Sequence, residues 1–428
     1  MAIRVNIFEH FFGKKRRKHH ARAREREKKK EKRRDDMSLP TTQSSSSSRP
    51  PSVLIVGAGR LGTWLAVKFA LRERTMMKKK ATEKKQSEKR DDETMTTMPR
   101  VVLKGSGRRK SKEGQTTTRR IVEKIVEEHD IAYVESYEDE RLLRTVLAGE
   151  EEEEEGKSAA TAASTSSMVL EFDYVFVTVK TYAFDAVVEE MNRAKIPVRP
   201  KVAVMLHNGI VEPIFKGLGD GYVPCVIPQS YDFVDASEDG KVGERYVIKV
   251  KNEEKPWAMP NTREAKRVHA LLTTIGANSQ PDENFEYTLL RKYFINCVAN
   301  LLSIFGDCNC DGLLDTKELR NRMDVLYHEM YAALQPSHRE GFAKMPEDFY
   351  DVVFSGLRTY GAHFPSTKLD FDAGALLEID SLNGYVCARG RENGCPCLEH
   401  EKLIEEVKRL VRERDEKEKK KEKETTTT

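Results

Sequence analysis

The feature that most constrains this chain is Gly57-Ala58-Gly59-Arg60-Leu61-Gly62. It lies between a short apolar run, Val53 to Val56, and a stretch of helical character, Thr63 to Leu71. In this spacing the first glycine permits a tight strand-to-helix turn. The second lets backbone approach a pyrophosphate, and the third lets the helix pack closely on the strand. The helix N-terminus then turns its unpaired N–H groups toward phosphate charge. The spacing alone is weak, and its setting between a strand and a helix gives it meaning. The alternative is a tight turn with no ligand.

The next strand expected, Arg100 to Leu103, ends at Lys104 and runs into Ser106, Arg108, Arg109 and Lys110. An acid at that strand end would select NAD, whereas a basic group accepts the extra phosphate of NADP. With no acid there, the expectation is NADPH with Arg108 among its contacts. A solvated basic loop is the alternative. Tyr174 to Val179 and Val202 to Leu206 read as further buried strands, and Lys180 and Asn208 follow them. Strands alternating with helices imply an α/β fold, a Rossmann-type doubly wound parallel sheet. From about residue 261 the pattern turns helical. The segments are Lys292 to Phe305, Leu319 to Leu334, Phe342 to Leu357, Asp372 to Gly390 and Leu403 to Arg414.

The expected organisation is a basic, serine-rich disordered tail over 1–51 and a dinucleotide-binding domain over 52–260. An all-α C-terminal domain over 261–415 and a charged disordered tail over 416–428 complete it. Low-complexity insertions are expected at about 74–99 and 148–168. The tail could bury too little apolar surface to order itself, and Met37 is an alternative start. The net charge of +4 in 428 residues is too small to imply a nucleic-acid partner. No apolar run approaches the roughly 20 residues that span a bilayer. Seven cysteines, odd in number and sparse, fit a reducing compartment. The expectation is cytoplasmic, with the basic N-terminal run leaving nuclear or organellar destinations open. A homodimer is also left open.

Five segments, in order, resemble ketopantoate reductase (2-dehydropantoate 2-reductase). They are Val53 to Gly62, Asp173 to Lys180, Leu206-His-Asn-Gly209, Arg291 to Asn300 and Leu377-Glu-Ile-Asp-Ser-Leu-Asn-Gly384. The stretch Gln229 to Pro260 departs from that family, as do Leu398 and His400. The resemblance implies NADPH-dependent reduction of a 2-oxo acid substrate, with ketopantoate the first choice. Other readings stay open: reduction of another 2-oxo acid or imine, or a calcium- or nucleotide-responsive binding protein on a reductase scaffold. Lys292, Asn296 and Asn300 recur every four residues and share a helix face. The resemblance makes Lys292 the general acid and the two asparagines substrate ligands. It adds Ser366 and Asn208 at the substrate, Lys180 and Asn208 at the cofactor, and Glu378 toward Lys292 or the nicotinamide ribose. Without it, an amphipathic helix with a polar stripe accounts for the spacing.

Asp307 to Glu318 also fits a twelve-residue calcium loop. Asp307, Asn309, Asp311, Asp315 and Glu318 supply side-chain oxygens, Leu313 a carbonyl, and Gly312 stands at the sharp turn. Such loops usually come in pairs and only one is present. The alternative is an acidic helix connection. The pairs Cys308/Cys310 and Cys395/Cys397 are spaced too closely for the usual zinc pattern and read as reduced thiols.

Overall fold

A computed structural model describes residues 51–84, 100–105, 113–137, 143, 169–194, 197–211, 219, 221–237 and 243–426. Six strands form one parallel sheet: β1 (Ser52–Val56), β2 (Arg100–Lys104), β3 (Ala132–Val134), β4 (Leu170–Val177), β5 (Val198–Met205) and β6 (Gly221–Pro224). Their order is β3-β2-β1-β4-β5-β6, the doubly wound order whose reversal lies between β1 and β4. The strands are apolar at consecutive positions because both faces are covered. Val53, Ile55, Leu103 and Phe176 pack on one side. Leu54, Val56, Val102 and Val175 pack on the other. On the first side lie α1 (Arg60–Lys84) and α2 (Glu113–His129), with Trp64, Phe69 and Val122 facing in. On the second lies α3 (Phe184–Arg193), with Phe184, Val187 and Met191 facing in.

Beyond β6 the chain makes an antiparallel hairpin of β7 (Ser230–Asp235) and β8 (Tyr246–Lys251). The parallel pair β9 (Trp257–Pro260) and β10 (Ser279–Asp282) follows, with α4 (Arg263–Thr274) between them. Up to Pro260 this is the stretch that departs from the family resemblance, and it holds a polar knot. The Gln229 side-chain oxygen accepts from the Trp257 indole N–H at 2.9 Å and from the Tyr231 hydroxyl at 2.5 Å. The Trp64 ring packs on both aromatics, at 5.8 and 5.1 Å.

The helical region comprises α5 (Phe285–Phe305), α6 (Cys310–Asp315), α7 (Lys317–Leu334), α8 (Arg339–Phe342), α9 (Phe349–Arg358), α10 (Ser366–Asp372), α11 (Tyr385–Glu392) and α12 (Leu398–Thr426). Twelve residues of α5 are buried, from Leu290 to Ile304, so this helix is the central post of the second core.

Several expectations change. The helical region begins at α5, not at 261, because Ala265, Val268 and Leu272 of α4 pack into the sheet core. Helix α1 runs to Lys84, into the expected 74–99 insertion, as the Met, Lys, Ala and Glu of that stretch favour helix. Residues 416–426 are helical, not a disordered tail, and Glu416 stands three and four residues before Lys419 and Lys420, spacings that favour a helix. Asp372 to Gly390 is not one helix: Gly374 takes φ +68° after α10, and Leu382 is non-helical inside the turn Asp380–Gly384. The twelve-residue calcium loop is not formed. Six of its residues are α6, Asn309 caps Gly312 N–H, and Asp307 pairs with Lys368 at 2.9 Å. Among the described residues no cluster of three or more His, Cys, Asp or Glu could hold a metal ion. Residues 1–50, 85–99 and 144–168 lie outside the described residues.

Trp257 is fully buried. Replacing it with alanine is expected to cost about 3–5 kcal/mol through the cavity left behind. Trp257→Phe keeps most of the volume but loses the indole donor, at about 1 kcal/mol. Urea unfolding midpoints of the two variants check the order.

Candidate active site

At the carboxyl end of β1 each glycine has its own steric reason. Gly57 takes φ +116°, and a Cβ there would lie 2.6 Å from Thr178 Oγ1. A Cβ on Gly62 would lie 1.9 Å from the Gly57 carbonyl oxygen, so α1 approaches the turn as closely as backbone allows. Gly59 is exposed, and a Cβ there would meet nothing within 4 Å. The second glycine is therefore free of any packing demand. It borders open space at the N-terminus of α1, where a pyrophosphate would lie. Ala58, Arg60 and Leu61 complete the turn. The Thr178 hydroxyl, from the end of β4, donates to the carbonyls of Val56 and Gly57 at 3.1 and 2.8 Å and holds the turn across the sheet's reversal. These residues fit a dinucleotide.

Lys104 does not read the ribose. It is 1% exposed and pairs with Glu190 at 2.9 Å; it also donates to the Gly105 carbonyl and lies 4.7 Å over the Tyr137 ring. Strand alternation turns it to the α3 side of the sheet. Arg108 lies outside the described residues.

The ends of β5 and β6 face α5 across a small cavity. It is lined by His207, Asn208 and Gly209, by Cys225 and Val226, and by Leu289, Lys292, Tyr293 and Asn296. Lys292, Asn208 and Asn296 are thus brought together. The Lys292 ammonium donates to the Ile227 carbonyl at 2.6 Å, its one hydrogen-bond acceptor among the described residues. An ammonium has three N–H donors, so two remain. The side-chain amides of Asn208 and Asn296 have no protein partner among the described residues. Burial pulls the Lys292 pKa down; Glu378 raises it and Lys180 lowers it, with a net value of about 8. His207 also lines this cavity and was not singled out from sequence. Burial is the chief cause that lowers its pKa.

Glu378, 3% exposed, does not pair with Lys292. It accepts from Lys180 Nζ at 3.1 Å and from the backbone N–H and hydroxyl of Thr181 at 3.2 and 3.4 Å. Lys180 also pairs with Asp370 at 2.9 Å. Burial opposes the Lys180 charge, but Glu378 and Asp370 outweigh it and hold the group above the ordinary lysine range. The Thr181 hydroxyl meets the Ser381 hydroxyl at 2.8 Å, and Ile210 N–H donates to the Ser381 carbonyl. A polar clasp therefore joins the sheet edge to the helical region. Asp370, Thr178, Thr181 and Ser381 were all missed from sequence. Asp370 alone left a trace, one helical turn after Ser366.

Asn300 and Ser366 do not line the cavity. Asn300 is buried one turn beyond Asn296 and donates to the Thr367 hydroxyl at 3.1 Å. Ser366 is exposed at the start of α10.

Residues 284–411 match the family described as ketopantoate reductase PanE/ApbA C terminal. The helical region is therefore similar to the C-terminal domain of ketopantoate reductases. The 2-dehydropantoate 2-reductase of Shigella flexneri is 28% identical over 139 residues, 32% of this chain and 44% of that protein. The Lactococcus lactis enzyme of the same name is 28% identical over 134 residues, 30% of this chain and 41% of its own. The chain thus matches less than half the length of these relatives. The fold extends further. A PanE/ApbA family ketopantoate reductase from Ralstonia eutropha superposes at TM-score 0.58 and 15% identity, covering 85% of this chain and 99% of that one. D-mandelate dehydrogenase, solved with NADH and anilino(oxo)acetate, superposes at 0.54 and 16% identity, with the same two coverages. A dimeric ketopantoate reductase from Staphylococcus aureus superposes at 0.53 and 13% identity, again over 85% and 99%.

Two predictions follow from this geometry. Gly59→Ala should keep the wild-type melting temperature yet weaken dinucleotide binding, whereas Gly62→Ala should lower the melting temperature. Thermal melts beside fluorescence titration separate the two. Competitive acetylation should titrate Lys292 with a midpoint of about 8. Glu378→Gln removes an anion and should lower that midpoint; Lys180→Met removes a cation and should raise it.

Proposed function

We propose that the protein is an NADPH-dependent reductase of 2-oxo acids, with ketopantoate as the first substrate to test. The observation that carries this reading is the cavity shared by Lys292, Asn208 and Asn296 at the sheet edge that also bears the glycine turn. One cation with spare donors and two amides with no partner among the described residues suit a substrate that carries a carboxylate beside a carbonyl. The match of the C-terminal domain to ketopantoate reductases supports the choice of substrate.

The dinucleotide, bound at the glycine turn, supplies the hydride. This chain supplies the rest. Lys292 holds a proton toward the carbonyl oxygen and releases it as the oxygen becomes an alkoxide, giving the 2-hydroxy acid. Its pKa near 8 suits that task, since the group is mostly charged at neutral pH yet gives up its proton more readily than an ordinary lysine. Asn208 and Asn296 donate N–H groups to substrate oxygens without adding charge. Ile227 fixes the ammonium through its carbonyl. Glu378 acts on Lys292 at a distance, through its field. The preference for NADPH rests on the basic residues from Arg108 to Lys110 and the lack of an acid at the end of β2.

A second reading within the same chemistry is a reductase of another 2-oxo acid. The fold shared with D-mandelate dehydrogenase favours including an aryl 2-oxo acid in any substrate panel. The dimer named for the S. aureus neighbour makes a homodimer part of the proposal.

The test is NADPH oxidation with ketopantoate and a panel of 2-oxo acids. Lys292→Ala should lower kcat by about 10²–10⁴-fold, the usual worth of a placed acid. The wild-type rate should fall as pH rises through about 8, where Lys292 loses its proton. Turnover unaffected by Lys292→Ala, or none with any 2-oxo acid, would sink the proposal.

A further inference from the structure

Helix α10 carries Asp370 to the clasp, but it is seven residues long and cannot hold itself. The link from it to Glu378 buries little, and Leu376 on that link is 61% exposed. Thr367 ties α10 to Asn300 of α5, Lys368 ties it to Asp307, and Asp370 ties it to Lys180. The fourth tie comes from α12. Arg414 is 14% exposed, and its guanidinium donates to the Phe371 carbonyl at 2.7 Å while lying 5.0 Å over the Phe371 ring. The same carbonyl accepts from Gly374 N–H and so closes α10 at its C-terminus. One turn further on, Glu418 approaches Gly374, where an added Cβ would sit 3.3 Å from its carboxylate. Asp415 holds the Arg414 guanidinium at 2.8 and 3.0 Å and so limits its rotamers. The family match stops at residue 411, and both contacts lie beyond it.

We propose that α12 beyond Val411, acting through Arg414, is a brace that sets the position of α10 and hence of Asp370 at the clasp beside the cavity. Arg414 is a positioning residue for the substrate side of the site. The kinetic part of this proposal rests on the reductase reading; the structural part does not.

The experiment compares the full chain with Arg414→Ala, Arg414→Lys, a chain ending at Val411, and Glu413→Ala as a neighbouring control. Arg414→Ala and the shortened chain should raise KM for the 2-oxo acid about tenfold, more than they lower kcat, because α10 loses its placement. Hydrogen exchange at residues 369–375 should quicken in both, while α5 and α7 keep wild-type protection. Arg414→Lys should recover part of KM, since an ammonium can still donate to the Phe371 carbonyl from above the ring. Glu413→Ala should match wild type. Wild-type KM and exchange rates in both Arg414→Ala and the shortened chain would overturn the brace. So would faster exchange spread equally over α5 and α7, which marks loss of general stability. If the full chain reduces no 2-oxo acid, the activity reading falls and the exchange pattern alone decides the brace.

Discussion

The buried carboxylate of Glu378 organises the rest of the site. Removing a carboxylate from water costs several kcal/mol unless donors replace the water. Here the donors come from the other half of the molecule: the Lys180 ammonium and the N–H and hydroxyl of Thr181. Lys180 and Thr181 stand where β4 ends, beside the glycine turn that Thr178 pins. Satisfying one side chain of the helical region therefore fixes its register on the sheet. That register brings α5 against the ends of β5 and β6 and puts Lys292 within reach of the Ile227 carbonyl. The same carboxylate raises the Lys292 pKa against the pull of burial. Placement and protonation of the proposed acid share one electrostatic origin.

The sheet was readable because its signals are local. Val53 to Gly62 carries strand, turn and helix start within ten residues, and the apolar runs of β4 and β5 are what a strand covered on both faces requires. The helical region was readable as helix but not as a path. Its break at Gly374 and its kink at Leu382 depend on where α10 and α11 must dock, which no periodicity records. Residues Asp307 to Glu318 show the reverse error. Oxygen-bearing side chains at the right intervals look like a cation loop, yet Leu313 and Leu314 are buried core residues, and burying them folds the segment as a helix. Lys104 misled for a similar reason. A strand-end lysine is ambiguous by half a pleat, and the side it takes depends on the distant Glu190.

At the proposed site, the helix spacing puts Lys292 and Asn296 on one cavity, because one face of α5 has to look toward the sheet. The same spacing extends to Asn300, one turn further on, which does not line that cavity. There α5 has passed beyond the sheet edge, and Thr367 covers the amide instead. Lys180 was expected at a cofactor and is found between two carboxylates; a strand-end lysine announces a charge, not its partner. Asp370 and Ser381 come from segments far along the chain, so their meeting with Lys180 and Thr181 is visible only once both halves are folded.

The cavity between the two halves has a volume of about 10 Å³, room for roughly one water. Pockets for small organic ligands are more often about 300–1,000 Å³. For a 2-oxo acid to reach Lys292, the walls must part, and the architecture allows it. Between the sheet domain and the helical region the chain crosses once, through Glu283 and Asn284, from β10 into α5. Asp282 caps that crossing by accepting from Asn284 N–H and the Thr288 hydroxyl, which stiffens the joint without burying it. The clasp is built from hydroxyls, an ammonium and carboxylates, all groups that water can serve in the open form. An apolar interface of equal size would resist opening, because each exposed methylene costs about 0.8 kcal/mol. Under the proposed function, the polar character of the clasp would let the two halves part around a charged substrate, and it is also a source of register.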